Sequence, residues 1–449
     1  MDMLARFQCL RPHVTATTLR QWSRMAWAML VMPGRVTMLG ISRWAGQGGR
    51  YRTVQRVFSQ ALPWAMLCWV FFRQPVHRPD EVYLLAGDEV VVTKAGNHTY
   101  GLDRFFSRLY GKPIPGLAFF AFSLVSVQAR RAFPVRVEQV VRSEAEKAAS
   151  KAKAAAKQQQ PSTPSRRPGR PKGSRNTPQA EVPLPPELAR LTAMLETLLK
   201  LIAGVIPLSY LVLDGHFGHH NARHMARQSH LPLISKRRSD AALYFPYTGP
   251  YAGRGPRRKY GRQVDDGHMP AQYLKETTME GHIHTRVYQA QLLHKEFRHP
   301  LNVVIIVKMN PRTQARAHVI LFSSDLTLAY APLVDDYRLR FQIEFNFRDA
   351  KQYGGLEDFM NVTPTGITNA ANLSLFMVNV AYHLQAAGRQ CDPDSSILDL
   401  KADCRGYKYV EETIKMLPEK PAPVLLGQIL PKVTSLGRIH APQPSGSFS

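Results

Sequence analysis

The chain has 449 residues, enough for two or three domains, and 44% apolar residues, enough to bury a sizeable core. Its formal charge of +26 and pI near 10.1 point to a polyanionic partner, most simply nucleic acid. No apolar run reaches the roughly 18 residues of a spanning helix, no N-terminal run reads as a cleaved signal, and the four scattered cysteines have neither metal-ligand spacing nor disulfide density, as suits a reducing cytosol.

Residues 1–80 contain eleven Arg, no Lys and only two acids, Asp2 and Asp80. Apolar residues at helical spacing (Leu19, Trp22, Met25, Ala26, Leu30) predict a helical DNA-binding domain. Residues 35–60 read as helix, Gly-rich turn (Gly46, Gly48, Gly49), helix, with Arg50, Arg52 and Arg56 at or in the second helix. The pattern fits a helix-turn-helix and equally a plain bundle with a solvated Arg face. On either reading the Arg face can neutralise phosphates.

Residues 81–140 are strand-rich, with apolar runs at 81–92 and 117–127 bounded by Gly, Asn and Pro. Residues 141–186 have few large apolar groups and predict a disordered basic linker. Within it, Arg166-Arg167-Pro168-Gly169-Arg170-Pro171-Lys172-Gly173 is similar to an AT-hook, in which extended Gly-Arg-Pro lays Arg170 into a narrow minor groove. Pro168 stands where an Arg would complete the usual core, and a plain basic linker is the alternative.

Residues 187–238 read as helix (187–202), strand (208–213), helix (219–228) and strand (231–235), a βαβ-like unit. Residues 239–332 open aromatic and Gly/Pro-rich and continue as β-type runs at 282–293, 301–309 and 317–323, a β-rich insertion. The cationic 253–260 segment reads as a DNA-backbone contact or a solvated loop. Residues 333–390 predict two helices: 335–353, stopped by Gly354 and Gly355, and a buried one over 367–385. Residues 391–449 form a Pro-rich C-terminal extension, expected to be loosely ordered near its end.

Chemistry concentrates in three acids. On one continuous helix, Tyr337, Arg340, Glu344 and Lys351 fall within a sector of roughly 60°, with Arg348 on the same face. An exposed salt-bridge ladder would look similar. Asp214 ends the apolar run Tyr210-Leu211-Val212-Leu213, and Asp88 lies inside an apolar strand, where a carboxylate needs a metal or a cation. Phosphodiester hydrolysis without a covalent intermediate needs an activated water and neutralised transition-state charge. Two divalent ions about 4 Å apart supply both, and converging Asp and Glu oxygens suit them. Asp103 and Glu89 are fallback ligands. His216, His219 and His220 near Asp214 raise a zinc alternative. However, His219 and His220 are adjacent and point apart, so a phosphate contact by one His fits better.

The spacing Tyr337-x2-Arg340-x3-Glu344-x6-Lys351 resembles the signature of DDE-type insertion-sequence transposases of the insertion-sequence-four-like group. Asp88-x5-Lys94-x-Gly96 and Asp214-Gly215-His216-Phe217 resemble that group's first and second motifs, with Glu89-Val90 where Asp-Thr is usual. The resemblance covers residues 81–130 and 187–390. It implies an α/β fold: a ribonuclease-H-like mixed sheet flanked by helices. Asp88 and Asp214 would lie on its first and fourth strands, and Glu344 on a helix after the β-rich insertion. It further implies catalysis by Asp88, Asp214 and Glu344 holding two Mg2+ or Mn2+ ions, and DNA contacts by Tyr337, Arg340, Arg348, Lys351 and Lys94. The implied activity is binding of double-stranded transposon ends, cleavage, and joining of the 3′-OH ends to target DNA. The active complex would be a homodimer or higher, in the cytoplasm at the nucleoid and away from membranes. All five Trp precede Asp88, so the insertion Trp with which some relatives hold a flipped base has no counterpart. The rival expectations are a domesticated copy that only binds DNA and a structure-selective nuclease of the same core fold.

Overall fold

The computed structural model describes residues 2–96, 98–107, 110–149, 152, 183–251, 253, 255–388 and 395–440. The AT-hook-like segment with Arg170 and most of the expected linker lie outside them. Five helices come first: α1 (Met3–Arg6), α2 (Ala16–Val31), α3 (Met38–Trp44), α4 (Tyr51–Phe58) and α5 (Trp64–Arg73). Thr15 and Thr37 cap α2 and α3 through their side chains. Helices α3 and α4 flank the Gly-rich turn as expected, and Arg50, Arg52 and Arg56 are exposed at or in α4.

Four strands follow: β1 (Tyr83–Thr93), β2 (Asp103–Ser107), β3 (Lys112–Ser126) and β4 (Arg131–Val140). Then come α6 (Pro186–Ile202), β5 (Leu208–Leu213), α7 (His220–Gln228) and β6 (Leu233–Arg237). β1 lies antiparallel to β3 and parallel to β5, β5 is parallel to β6, and β4 pairs with β3. β1 is buried along nearly its whole length, as a strand covered on both faces should be.

The later strands are β7 (Leu243–Pro246), β8 (Tyr260–Gln263), β9 (Leu274–Glu280), β10 (Ile283–His294), β11 (Leu301–Met309) and β12 (Arg316–Ser323). They do not make a sheet of their own. β12 pairs antiparallel with β6, placing Ser323 opposite Ile234, so the described strands join in one mixed 12-stranded sheet. The insertion expected at 239–332 is thus an extension of the main sheet. Periodicity marks a strand but not its partner, so this pairing was hidden from the sequence.

Helices α8 (Tyr330–Leu339), α9 (Gln342–Gln352), α10 (Pro364–Gly388), α11 (Ile397–Met416) and α12 (Pro423–Thr434) complete the chain. The last two give the C-terminal extension helices over Ile397–Met416 and Pro423–Thr434; residues 441–449, at the end expected to be loosely ordered, lie outside the described residues. Pro423 sits at the start of α12, where a missing N–H costs nothing. Asp399 accepts hydrogen bonds from the Ile439 and His440 amides at 2.6 and 3.2 Å, which pins the chain back onto α11. No helix of the described residues is long and apolar enough to cross a membrane.

α10 is largely buried, with polar Asn369, Asn372, Ser374 and Asn379 among its apolar residues. Trp22 stacks on Trp64 at 4.7 Å, and both rings pack on Phe376 of α10, so the first 80 residues share one core with the sheet. Asn369 fixes this junction. Its carbonyl accepts from the Trp64 indole N–H at 2.7 Å, and its amide donates to the Phe58 and Gln60 carbonyls at 2.7 Å. Asn369→Ala leaves several buried polar groups unpaired and is expected to cost about 3 kcal/mol. Urea unfolding should register this as a lower midpoint in a single transition.

Candidate active site

Gly87 of β1 is in register with Leu213 of β5, so Asp88 and Asp214 stand one residue further on, at neighbouring parallel strands. Paired strands lie about 4.8 Å apart. Asp88 is buried, at 6% exposure. One of its carboxylate oxygens accepts the Glu89 amide at 2.8 Å, and the other accepts the Arg340 guanidinium at 2.5 Å. Asp214 ends β5 and caps the short turn that follows by accepting the His216 amide at 3.0 Å.

Arg340 lies at the junction of α8 and α9. The sequence predicts one helix over 335–353, but the structure tightens it here. The Phe341, Ile343 and Glu344 amides bond to carbonyls three residues back instead of four. Both Arg340 and Phe341 keep helical dihedrals, so no Gly or Pro was needed and none marks the break. The tightened turn still brings the Glu344 carboxylate to 3.6 Å from the Arg340 guanidinium. Burial alone would weaken the Arg340 charge. Asp88 foremost, then Tyr337, Asp214 and Glu344, outweigh it and hold the guanidinium above its ordinary value. One cation therefore sits amid all three sequence-selected acids. Tyr337 lies half-buried with its ring 5.8 Å from that guanidinium, and burial raises its phenol.

The other signature cations are turned elsewhere. Lys351 donates to the Val91 carbonyl at 2.9 Å and pairs with Glu357 at 2.8 Å, tying α9 to β1. Lys94 donates to the Glu357 and Phe359 carbonyls at 2.9 and 2.6 Å and lies over the Phe359 ring. Arg348 pairs with Asp349 at 3.0 Å and lies over Phe345. In the loop beyond α9, Gly355 takes φ +80°, and a Cβ there would meet Val36 at 2.6 Å.

Neither fallback acid joins the cluster. Glu89 faces a recess on the other side of β1 with Glu138, Glu187 and Arg190, where burial, then Glu187, raises its carboxyl. Asp103, on β2, lies 3.6 Å from Arg142. His216 pairs with Glu187 at 3.2 Å, which raises the imidazole, and burial lowers His219. This His–Glu pair bridges elements far apart in sequence, and no spacing announces it. Among the described residues no three His, Cys, Asp or Glu side chains stand close enough together for a metal ion, and Arg340 reaches both Asp88 and Glu344. The donor set is nevertheless all carboxylate, which suits a hard divalent cation.

With this geometry in view, the comparisons carry one decisive result. A family described as DDE superfamily endonuclease matches residues 9–298, well over half of the chain. The chain belongs to the DDE superfamily endonucleases. The matched stretch of this DDE endonuclease includes Asp88 and Asp214 and ends before Glu344. No curated protein matches it. Among solved structures it is similar to the cryo-EM structure of a piggyBac transposase synaptic complex with hairpin DNA, at 9% identity and a TM-score of 0.35. That alignment covers 85% of this chain and 62% of the other, so this chain spans about three fifths of that chain's length.

Two outcomes test the arrangement. Arg340→Met removes the guanidinium from a buried carboxylate and is expected to destabilise the DDE endonuclease by about 3 kcal/mol at neutral pH. Asp88→Asn in the same chain should recover part of that loss in a urea-unfolding cycle. Lys94 gives a pH signature. Burial lowers its ammonium from the ordinary 10.5 to about 8, so between those values the unfolded chain binds the proton that the folded chain has released. Its contribution to stability therefore rises with pH across that window. Lys94→Met should flatten the stability profile there.

Proposed function

We propose that this DDE endonuclease is a transposase of the insertion-sequence-four-like group, built on a ribonuclease-H-like core. The observation that carries the reading is the convergence on one guanidinium of Asp88 inside β1, Asp214 at the end of the neighbouring parallel strand β5, and Glu344 on α9. The sheet order supports the core assignment. β4, β3, β1, β5 and β6 run in that sequence, with the β4–β3 and β3–β1 pairings antiparallel and the β1–β5 and β5–β6 pairings parallel.

In this reading Asp88, Asp214 and Glu344 hold the divalent cations, two Mg2+ or Mn2+. The cradle already accommodates positive charge in the form of Arg340. When bound, such ions supply charge neutralisation and a more acidic water. The chain's own residues do the remaining work. Arg340 exchanges Asp88 for a DNA phosphate, to which its planar fork is matched. Tyr337 borders the same phosphate. Glu344 is carried on the tightened turn beside Arg340, so the two side chains shift as one unit. Lys351 anchors α9 to β1 and keeps Glu344 in place. Water and then a DNA 3′-OH attack in line, first to free the element's ends and then to join them to target DNA. Double-stranded ends and target are the substrates. Arg50, Arg52 and Arg56 on the α3–α4 pair offer an exposed Arg face for end recognition. Two ends brought together require a homodimer or larger assembly, working at the nucleoid.

The binding-only reading draws on the closeness of Arg340 to Asp88, which in a domesticated copy would be permanent. Purified protein incubated with supercoiled DNA and Mn2+ separates the two. Nicking is expected, and Asp88→Asn, Asp214→Asn or Glu344→Gln should each reduce it roughly a thousandfold, the scale of losing a group that stabilises transition-state charge. Nicking that persists in all three variants would overturn the assignment of these acids.

A further inference from the structure

α7 presents His220, Arg223, His224 and Arg227 at helical spacing, so they share one face. Opposite lies the turn between β10 and β11, with Phe297, Arg298 and His299. Together these seven residues line a recess of about 130 Å3, far more than one water needs. None of them is acidic. The carboxylate beside the turn, Glu296, is taken by Arg237 at 3.3 Å and His294 at 3.8 Å. Lys259 donates to the Arg298 carbonyl at 2.6 Å, fixing the turn and adding a further cation.

Uncompensated cations facing each other cost stability. Burial first, then Arg227, pulls even the Arg223 guanidinium below its ordinary value. Burial, then Arg223, Arg227, Lys259 and Arg298, lowers His299. A recess kept in that state is matched to an anion. Arg223 and Arg227 are one helical turn apart, about 6 Å along the axis. A DNA strand places one phosphate per roughly 3.4 Å of axis, so the pair spans about two successive phosphates. Chain continuity keeps the recess near the acids: His220 is six residues past Asp214, at most about 20 Å away, and less than one duplex turn of roughly 34 Å.

We propose that the recess between α7 and the β10–β11 turn is a second DNA-backbone site, in which Arg223, Arg227 and Arg298 hold consecutive phosphates of the duplex that reaches Asp214. This rests on DNA being the partner, as proposed above, and not on the chain being able to cleave it. Phe297 forms the apolar floor, and the histidines add donors around the phosphates.

The test is equilibrium binding of a short fluorescein-labelled duplex over a series of KCl concentrations, with calorimetric titration of inorganic phosphate in parallel. Arg223→Gln with Arg227→Gln should lower the slope of log affinity against log salt by about two, near 0.9 per phosphate lost. Affinity near physiological salt should fall roughly tenfold or more. Arg223→Lys with Arg227→Lys should keep the slope. If the Gln pair fails to fold, the exposed Arg298→Gln reads the same quantity with a slope loss of about one. An unchanged slope in the Gln variants overturns the proposal. So does loss of phosphate titration with an unchanged DNA slope, which would make the recess a site for free anions. A lowered slope in a protein that never nicks DNA upholds the site while the cleavage reading fails.

Discussion

A carboxylate in the middle of a buried strand is the constraint around which this molecule is arranged. Asp88 is nearly inaccessible to solvent, and an ionised acid there needs a cation close by. Arg340 supplies it from a point more than 250 residues later, and the junction of α8 and α9 is shaped to deliver it. The other contacts along β1 follow the same logic. Lys351 of α9 closes on the Val91 carbonyl of β1, and Lys94, just past the end of β1, closes on the Glu357 and Phe359 carbonyls, so α9 and its exit loop are fastened to the strand that carries Asp88. Glu344 inherits its position from these fastenings.

The large positive charge of the chain divides accordingly. Some of it is consumed inside the fold, where Arg340, Lys351 and Lys94 serve as counter-ions or ties. Arg35 and Arg130 likewise pair with Asp358 and Asp335 across long sequence separations. Among the described residues, two groups of cations lie on surfaces without matching acids, on α4 and along one face of α7. Net charge alone could suggest a polyanionic partner, but only the packing separates the cations that hold the protein together from those left to meet that partner.

Local pattern made much of this legible. Residues 208–213 and 301–309 are strands over the expected ranges, and α6 differs from expectation by one residue, because each carries a continuous or periodic apolar run bounded by breakers. Asp88 and Asp214 stood out because a charge inside or at the end of such a run demands a partner, and Glu344 because of its spacing from Tyr337, Arg340 and Lys351. What stayed hidden was non-local or subtle. Strand periodicity does not reveal that β12 borders β6, nor that Trp22 and Trp64 share a core with Phe376. The break at Arg340 involves a change of hydrogen-bond spacing within helical dihedrals, which no residue type announces. Proline content did not reveal the C-terminal helices: Pro423 starts one and Pro431 lies within it. The cationic stripe of α7 was present at positions 220, 223, 224 and 227, yet only the facing turn turns a stripe into a recess.

The continuity of the sheet has a mechanical consequence. A β-rich insertion hung on flexible connections could swing over bound DNA as an independent flap. Here β10, β11 and β12 are laddered to β6, and β6 to β5, whose end carries Asp214. A load applied at the outer strands is passed from ladder to ladder toward that aspartate, because packed interiors deform little and transmit strain. The insertion therefore acts as a stiff lever arm, and a force on its outer strands reaches the end of β5 that carries Asp214.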